Sequence, residues 1–411
     1  MRSRWSLLGA VPLVVLLLGR QPSAQQRATP NPVQFAPPIV IQYPASYPQA
    51  IASGDFTRDG FPDLIVGDEF GGLYTKLGRG DGRFKSWRYV FPPGHDVSAL
   101  AVGKFDGKNL DAVVNDISDA WVLLGGGGGG FPRDGWLDAG GNFVVGFAVG
   151  DFNHDSKEDI AALVDIPGQN SDSSVVYLFL GNGDGTFQSP KQLSVSPLGP
   201  VAILAGDFNG DGKLDLAVLS SFLHDHVGRV SILLGDGKGG FGHPISFPLL
   251  GLIPKYPVAM TLADFDGDET LDIALAYANS DATGTSFVQI LLGNGDGTFR
   301  RGVRAQAGLD PQAIATADFN GDGIPDLAVA DTTHQLTSSY LSILVGKGDG
   351  TFQPPAKFRV HGVGVSGVTV ADFNGDGKPD VATVNGDSGN VSVLINTTPF
   401  RAPNAKPPRT H

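Results

Sequence analysis

The chain contains no cysteine. That excludes disulfides, thiolate zinc sites, cysteine nucleophiles and a lipid-bearing cysteine. Helical patterning is also scarce: no long stretch combines helical apolar spacing with freedom from glycine and proline. The one long apolar run covers residues 7–19 and is too short to span a bilayer. Positive charge is short as well. The formal net charge is −13 and no basic stripe exists, which argues against nucleic acid as a partner. Familiar catalytic signatures are missing: no His-Glu-x-x-His, no Gly-x-Ser-x-Gly elbow and no P-loop.

What the chain has in plenty is glycine, 58 residues of 411, with 41% hydrophobic residues to build a core. This composition suits many short strands joined by tight turns. One phrase recurs. It reads DFNGDGKLD at 207–215, DFNGDGIPD at 318–326 and DFNGDGKPD at 372–380. It recurs as DFDGDETLD at 264–272, DFNHDSKED at 151–159 and DFTRDGFPD at 55–63, and a shortened copy, KFDGKNLD, fills 104–111. The copies start 49, 47, 56, 57, 54 and 54 residues apart, a period that points to propeller blades or a solenoid.

Oxygen-bearing side chains at positions 1, 3, 5 and 9, with a carbonyl at position 7, are what a hard cation such as Ca²⁺ requires. The predicted ligands of the fourth copy are Asp207, Asn209, Asp211, the Lys213 carbonyl and Asp215. Copies six and seven match it with Asp318, Asn320, Asp322, Ile324 and Asp326, and with Asp372, Asn374, Asp376, Lys378 and Asp380. Copy five supplies Asp264, Asp266, Asp268, Thr270 and Asp272, but Glu269 replaces the position-6 glycine and is expected to strain the turn. Copy three supplies Asp151, Asn153, Asp155, Lys157 and Asp159, with Ser156 at position 6. Copy one supplies Asp55, the weaker ligand Thr57, Asp59, Phe61 and Asp63. Copy two begins with Lys104, has lost a residue, and is expected to hold no ion. Five to six structural Ca²⁺ ions are therefore expected. Plain hydrogen-bonded turns need only one or two such residues, not four at fixed spacing. An EF-hand also fails, because its position 12 would be Val218, inside an apolar strand pattern.

Each unit repeats an internal order. In the fourth, residues 201–206 read as a first strand, 216–220 as a second and 230–234 as a third. A glycine turn, GDGKGGF at 235–241, leads to a fourth near 243–249. Similar turns occupy 78–84, 125–131, 181–187, 293–299 and 346–352. The last unit lacks one, so its outer strand is missing. The N-terminal segment supplies a candidate: Phe35 followed by two prolines and 39–41 (IVI) resembles Phe352 followed by two prolines and 357–359. Pairing it with 391–396 would close a ring and remove exposed sheet edges. The fold expected is all-β: a seven-bladed propeller, four antiparallel strands per blade, closed by an N-terminal strand that completes the last blade. A phenylalanine at position 2 of every copy is expected to pack between neighbouring blades.

These phrases resemble the FG-GAP or VCBS-type repeats of integrin alpha-chain propellers and of many secreted bacterial proteins, from Val33 to Asn396. The resemblance implies a seven-bladed propeller with Ca²⁺ in the loops between first and second strands. It implies little about the ligand, since such propellers serve adhesion, glycan binding and scaffolding.

Residues 1–24 read as a secretion signal, with Arg2 and Arg4 before the apolar run and Ser23 and Ala24 at its end. Residues 25–32 then read as a linker, 33–397 as the propeller and 398–411 as a disordered, proline-rich tail. The expected location is extracellular, at a cell surface or periplasmic, with no transmembrane segment in the mature chain. A monomer is expected.

The Arg79-Gly80-Asp81 tripeptide sits inside a repeated glycine turn and is read as part of that repeat rather than as an adhesion signal. Variable loops fall on the face opposite the metal loops, where His224, Tyr277, Asn279, Asp281 and His334 are candidate ligand contacts, and the His224-Asp225-His226 cluster reads as a solvated loop, with a second metal or an acid/base pair as the alternative. The functional reading is a binding, adhesion or scaffold module for a glycan or protein at the cell surface, not an enzyme. The alternative is a polysaccharide lyase or hydrolase with its site at the axial mouth, which would need charged groups converging there. A purely structural surface protein is the third reading. A multivalent lectin would show tryptophan or tyrosine at every blade boundary. Beyond the signal only Trp87, Trp121 and Trp136 occur, all in the first two units.

Overall fold

The computed structural model describes residues 32–90, 96–116, 118–166, 173–196, 199–222, 227–249, 255–279, 286–332 and 339–400. The predicted signal segment, almost all of the linker, the end of the tail, and His224, Asp225, His226, Asp281 and His334 lie outside them. The described residues form seven four-stranded antiparallel sheets and no helix.

The fourth blade shows why the sequence folds this way. Its strands are Pro200–Gly206, Asp215–Phe222, Val227–Leu233 and Ile245–Leu249, each paired with the next. In the second strand side chains alternate between two faces. Leu216 and Val218 enter the core shared with blade three, whereas Ala217 and Leu219 enter the core shared with blade five. A strand buried on both faces reads as a continuous apolar run, which is what LAVL is. The seven buried clusters are thus the seven seams between neighbouring blades. Each innermost strand lies against that of the next blade, and the seventh, Val365–Ala371, lies against the first, Pro48–Gly54.

Ring closure follows the expected route. Ile39–Gln42 is the outer strand of blade seven, paired antiparallel with Asn390–Leu394 in the register Ile39 to Val393. Beyond the strand the two ends clasp: Ala36 N–H donates to Ile395 O (2.9 Å), Thr397 N–H to Gln34 O (2.8 Å) and Gln34 N–H to Thr398 Oγ1 (2.9 Å).

The position-2 phenylalanines pin the seams. Phe56, Phe105, Phe152, Phe208, Phe265, Phe319 and Phe373 are all at most 3% exposed. Each ring meets, at 5.6–6.2 Å between centroids, the phenylalanine that opens the outer strand region of the next blade: Phe131, Phe187, Phe241, Phe299, Phe352, Phe35 and Phe84. These edge-on and tilted contacts add to roughly 2–3 kcal/mol of burial per ring. The backbone repeats the link. The carbonyl of six of these residues accepts an N–H from the next blade's glycine turn, as Phe208 O does from Gly297 (3.0 Å). Blade seven has no such turn. There the Asn396 side chain donates Nδ2–H to Phe319 O at 2.9 Å in its stead.

Candidate metal centres in the strand-connecting loops

In six of the seven blades the loop that leaves the innermost strand wraps around its own first aspartate. In the fourth copy Asp207 Oδ1 accepts N–H from Gly210 (2.8 Å) and Asp211 (3.2 Å), and Oδ2 accepts N–H from Gly212 (2.8 Å). Copies six and seven reproduce this at Asp318 and Asp372. Asp264, Asp151 and Asp55 likewise accept the position-6 N–H on Oδ2, from Glu269, Ser156 and Gly60. The position-5 carboxylates (Asp59, Asp155, Asp211, Asp268, Asp322 and Asp376) each accept the N–H of position 7, at 2.9–3.1 Å.

Folding the chain this tightly needs a left-handed backbone twice per loop. Gly210 and Gly212 have φ of 72° and 79°. The sequence reading placed strain at Glu269, and the structure agrees, with φ 69°. It also shows a requirement at position 4 that the reading missed: Arg58 and His154 sit at φ 62° and 58°. A side chain in this region costs about 1–2 kcal/mol.

The position-9 aspartates have a second task. Asp63, Asp159, Asp215, Asp272, Asp326 and Asp380 are fully buried. In each, Oδ2 accepts the position-2 N–H at 2.8–2.9 Å. In the first six blades Oδ1 of the position-9 aspartate accepts the N–H of the glycine that opens the glycine turn. That glycine cannot carry a side chain: a Cβ on Gly235 would lie 2.2 Å from Leu214 O. In blade seven Asn396 N–H takes this place at 2.7 Å. Burial pushes these carboxyls up, Asp63 and Asp159 to about 6, Asp272 and Asp380 to about 7 and Asp326 to about 8. The charges of positions 1 and 5 add to the rise, against the pull of the two N–H donors.

The donor set suits a hard divalent cation. In copy five Asp264, Asp266 and Asp268 present carboxylate oxygens within 4.8 Å of one another. Asp266 Oδ1 is buried without a hydrogen-bond partner, and burial and then Asp268 raise this carboxyl above its usual range. Protein cations already answer part of this charge. Arg300 lies 2.8 Å from Asp266, and Lys157, Lys213 and Lys378 reach the position-5 aspartates at 3.3, 2.9 and 3.3 Å. Residues at positions 1, 3, 5 and 9 and the position-7 carbonyl would hold the ion. Bound there, it would screen the repulsion and tie the loop down.

On the opposite face the structure corrects one expectation. Tyr277 is 3% exposed and stacked on Phe287 at 4.8 Å, so it is core and not a ligand contact. The Arg-Gly-Asp tripeptide is likewise engaged. A Cβ on Gly80 would lie 2.2 Å from the Phe61 ring, and Asp81 accepts Arg83 N–H at 3.0 Å, as Asp184 and Asp296 do in their turns.

No curated protein matches the sequence. Among solved structures, a chain of BBS1N crystallised with ARL6DN and soaked with mercury superposes with a TM-score of 0.54 at 11% identity. The match covers 88% of this chain and 97% of that one. The lead-soaked crystal of the same complex gives 0.54 at 12% identity, over 88% and 96%. A lectin of Agrocybe aegerita, described as recognising non-reducing terminal N-acetylglucosamine, gives 0.49 at 19% identity, over 84% and 87%. The family model described as FG-GAP-like repeat matches residues 36–107, 163–218, 264–329 and 318–383. More than half of the chain is covered, and the protein belongs to the FG-GAP-like repeat family.

Proposed function

We propose that this is an exported, calcium-stabilised binding module that takes a glycan or protein ligand on the face opposite the calcium loops. The contrast between the two faces carries the reading. One face is built of near copies whose polar groups are aimed at their own loop. The other bears segments that differ from blade to blade, and it carries an exposed aromatic pair. Tyr47 and Phe70 are 46% and 65% exposed, with ring centroids 6.1 Å apart. Glu69 joins them, its N–H donated to Tyr47 O at 3.2 Å. Asp96, beside blade one, keeps Oδ1 buried without a partner, and burial followed by Glu69 and Asp68 raises its carboxyl. Tyr47 and Asp96 both hold left-handed backbones, φ 54° and 64°, of the kind that gathers at ligand sites. Flat apolar faces beside an unpaired acceptor suit a sugar ring or a peptide segment.

Along the seven innermost strands the charged residues are Lys255 and Asp310, each at the end away from the metal loops. Export is proposed from the N-terminal signal pattern, and mass spectrometry of the mature N-terminus tests it. A glycan array probed in calcium and in EDTA, with the native chain and a Tyr47→Ala/Phe70→Ala variant, tests the binding reading. Binding that the variant loses while its circular dichroism stays native supports the assigned face. Undiminished binding by the variant refutes that face. With no glycan bound, crosslinking of the native chain to surface proteins decides whether a protein ligand exists, and failure there removes the binding reading.

A further inference from the structure

Blade two carries the degenerate loop, and its chemistry differs from the other six in a consistent way. Lys104 stands where they have aspartate, and Lys108 stands at position 5. Asp106, at position 3, is 1% exposed in its side chain. A buried carboxylate without a counter-charge is costly. Arg133, on the outer strand Arg133–Leu137, places Nη2 2.5 Å from Asp106 Oδ2, and Lys108 Nζ stands 3.7 Å away. The other oxygen, Oδ1, accepts Lys108 N–H at 3.1 Å. Asp111 is also satisfied on both oxygens, by Gly125 N–H (2.7 Å) and Asp106 N–H (3.2 Å).

Loop five is the informative comparison. There Arg300 also reaches the position-3 carboxylate from an outer strand, yet Asp266 Oδ1 stays buried and unpartnered beside two more carboxylates. Loop two has no such orphan among its carboxylate oxygens and no such crowding of negative charge. A second change accompanies it. Position 8 is leucine in blades four and five, packed over the glycine that ends the preceding innermost strand: Leu214 over Gly150 and Leu271 over Gly206. In blade three that residue is Glu158. Its carboxylate lies over Gly103 and accepts Lys104 N–H, so the altered neighbour faces the altered loop.

We infer that Arg133 takes the place of the metal ion in blade two, so that this blade, tied to blade three through Glu158, is held by protein cations and needs no calcium. A guanidinium suits the role. It is permanently charged, and its fork of N–H donors fixes a carboxylate in direction as well as in charge. The ring then has one blade that keeps its loop ordered when calcium is withdrawn. The inference rests on the reading of the other loops as calcium sites only for that contrast.

The experiment compares the native chain with Arg133→Gln, Arg133→Lys and Arg300→Gln, by melting temperature in excess calcium and in EDTA. Arg133→Gln is expected to lower the midpoint by about 2–4 °C in both media. Arg133→Lys should recover part of the loss. Arg300→Gln should leave the calcium-loaded midpoint unchanged, because the ion carries that loop. An Arg133→Gln midpoint equal to the native one overturns the inference. Restoration of that variant by calcium overturns it too, since loop two would then be taking an ion. If the native chain binds no calcium at all, the calcium reading fails, while the EDTA comparison of native and Arg133→Gln still decides the role of Arg133.

Discussion

Removing the side chain of Asn396 should weaken the whole ring, because that one side chain replaces what a glycine turn supplies in every other blade. Asn396 is fully buried. Its Nδ2 donates to Phe319 O (2.9 Å) and Pro379 O (3.1 Å), and its Oδ1 accepts Thr398 N–H (2.9 Å). Asn396→Ala keeps the backbone N–H that binds Asp380 but leaves the two carbonyls without this donor. A buried polar group stranded in this way costs about 1–3 kcal/mol, so the two together should cost about 2–6 kcal/mol. Asn396→Asp should cost more, since it sets a carboxylate against both carbonyl oxygens. The assay is urea unfolding followed by circular dichroism. The control is Asn182→Ala, whose exposed side chain bonds only Thr186 and whose loss should stay within about 0.5 kcal/mol. If Asn396→Ala is as mild as the control, the clasp does not carry ring stability and the seam argument is wrong.

Two further outcomes follow from the same geometry. Glu269→Gly relieves a left-handed side chain and should stabilise the chain by about 0.5–1 kcal/mol after glycine's own entropy cost, read from urea midpoints; a destabilised variant would show that the Glu269 side chain is needed. Asp331 is buried and pushed up to about 7 by that burial, with Asp310 raising it and Ser342 and Lys357 opposing. The folded state therefore favours the proton. The stability penalty is absent below the unfolded carboxylate range near 4, grows as pH rises and is complete above about 7. Asp331→Asn should consequently gain about 1–3 kcal/mol over the native chain at pH 8 and little at pH 4, and a pH-independent difference would contradict this.

The repeat made most of the fold legible. Seven copies at a near-constant period gave the blade number, and Phe35 with its two prolines gave the strand that closes the ring. Boundaries shifted by a few residues where apolar strands run into loops, as in Val227–Leu233. The loops were legible because their spacing is local: positions 1 to 9 lie within one turn of chain. What escaped was anything that depends on a neighbouring blade. Nothing in DFNGDGKLD says that Asp215 also anchors a glycine turn twenty residues on. Nothing around Lys104 says that Arg133 and Glu158 converge on it. Tyr277 reads as a loop residue because it ends a strand, yet its ring turns inward onto Phe287. Tyr47, Phe70 and Asp96 lie far apart in sequence and in no repeat, so no sequence pattern joins them. The one available signal was that 68–72 (DEFGG) has no counterpart in the other units.

We propose that calcium in the loops holds this propeller together, and metal content with thermal unfolding of one purified sample, first dialysed against calcium and then stripped with EDTA, tests this. Five to six calcium ions per chain, none in blade two, and a clear fall in the melting temperature on chelation are the predicted results. A chain that retains no calcium and melts at the same temperature in EDTA would contradict the account.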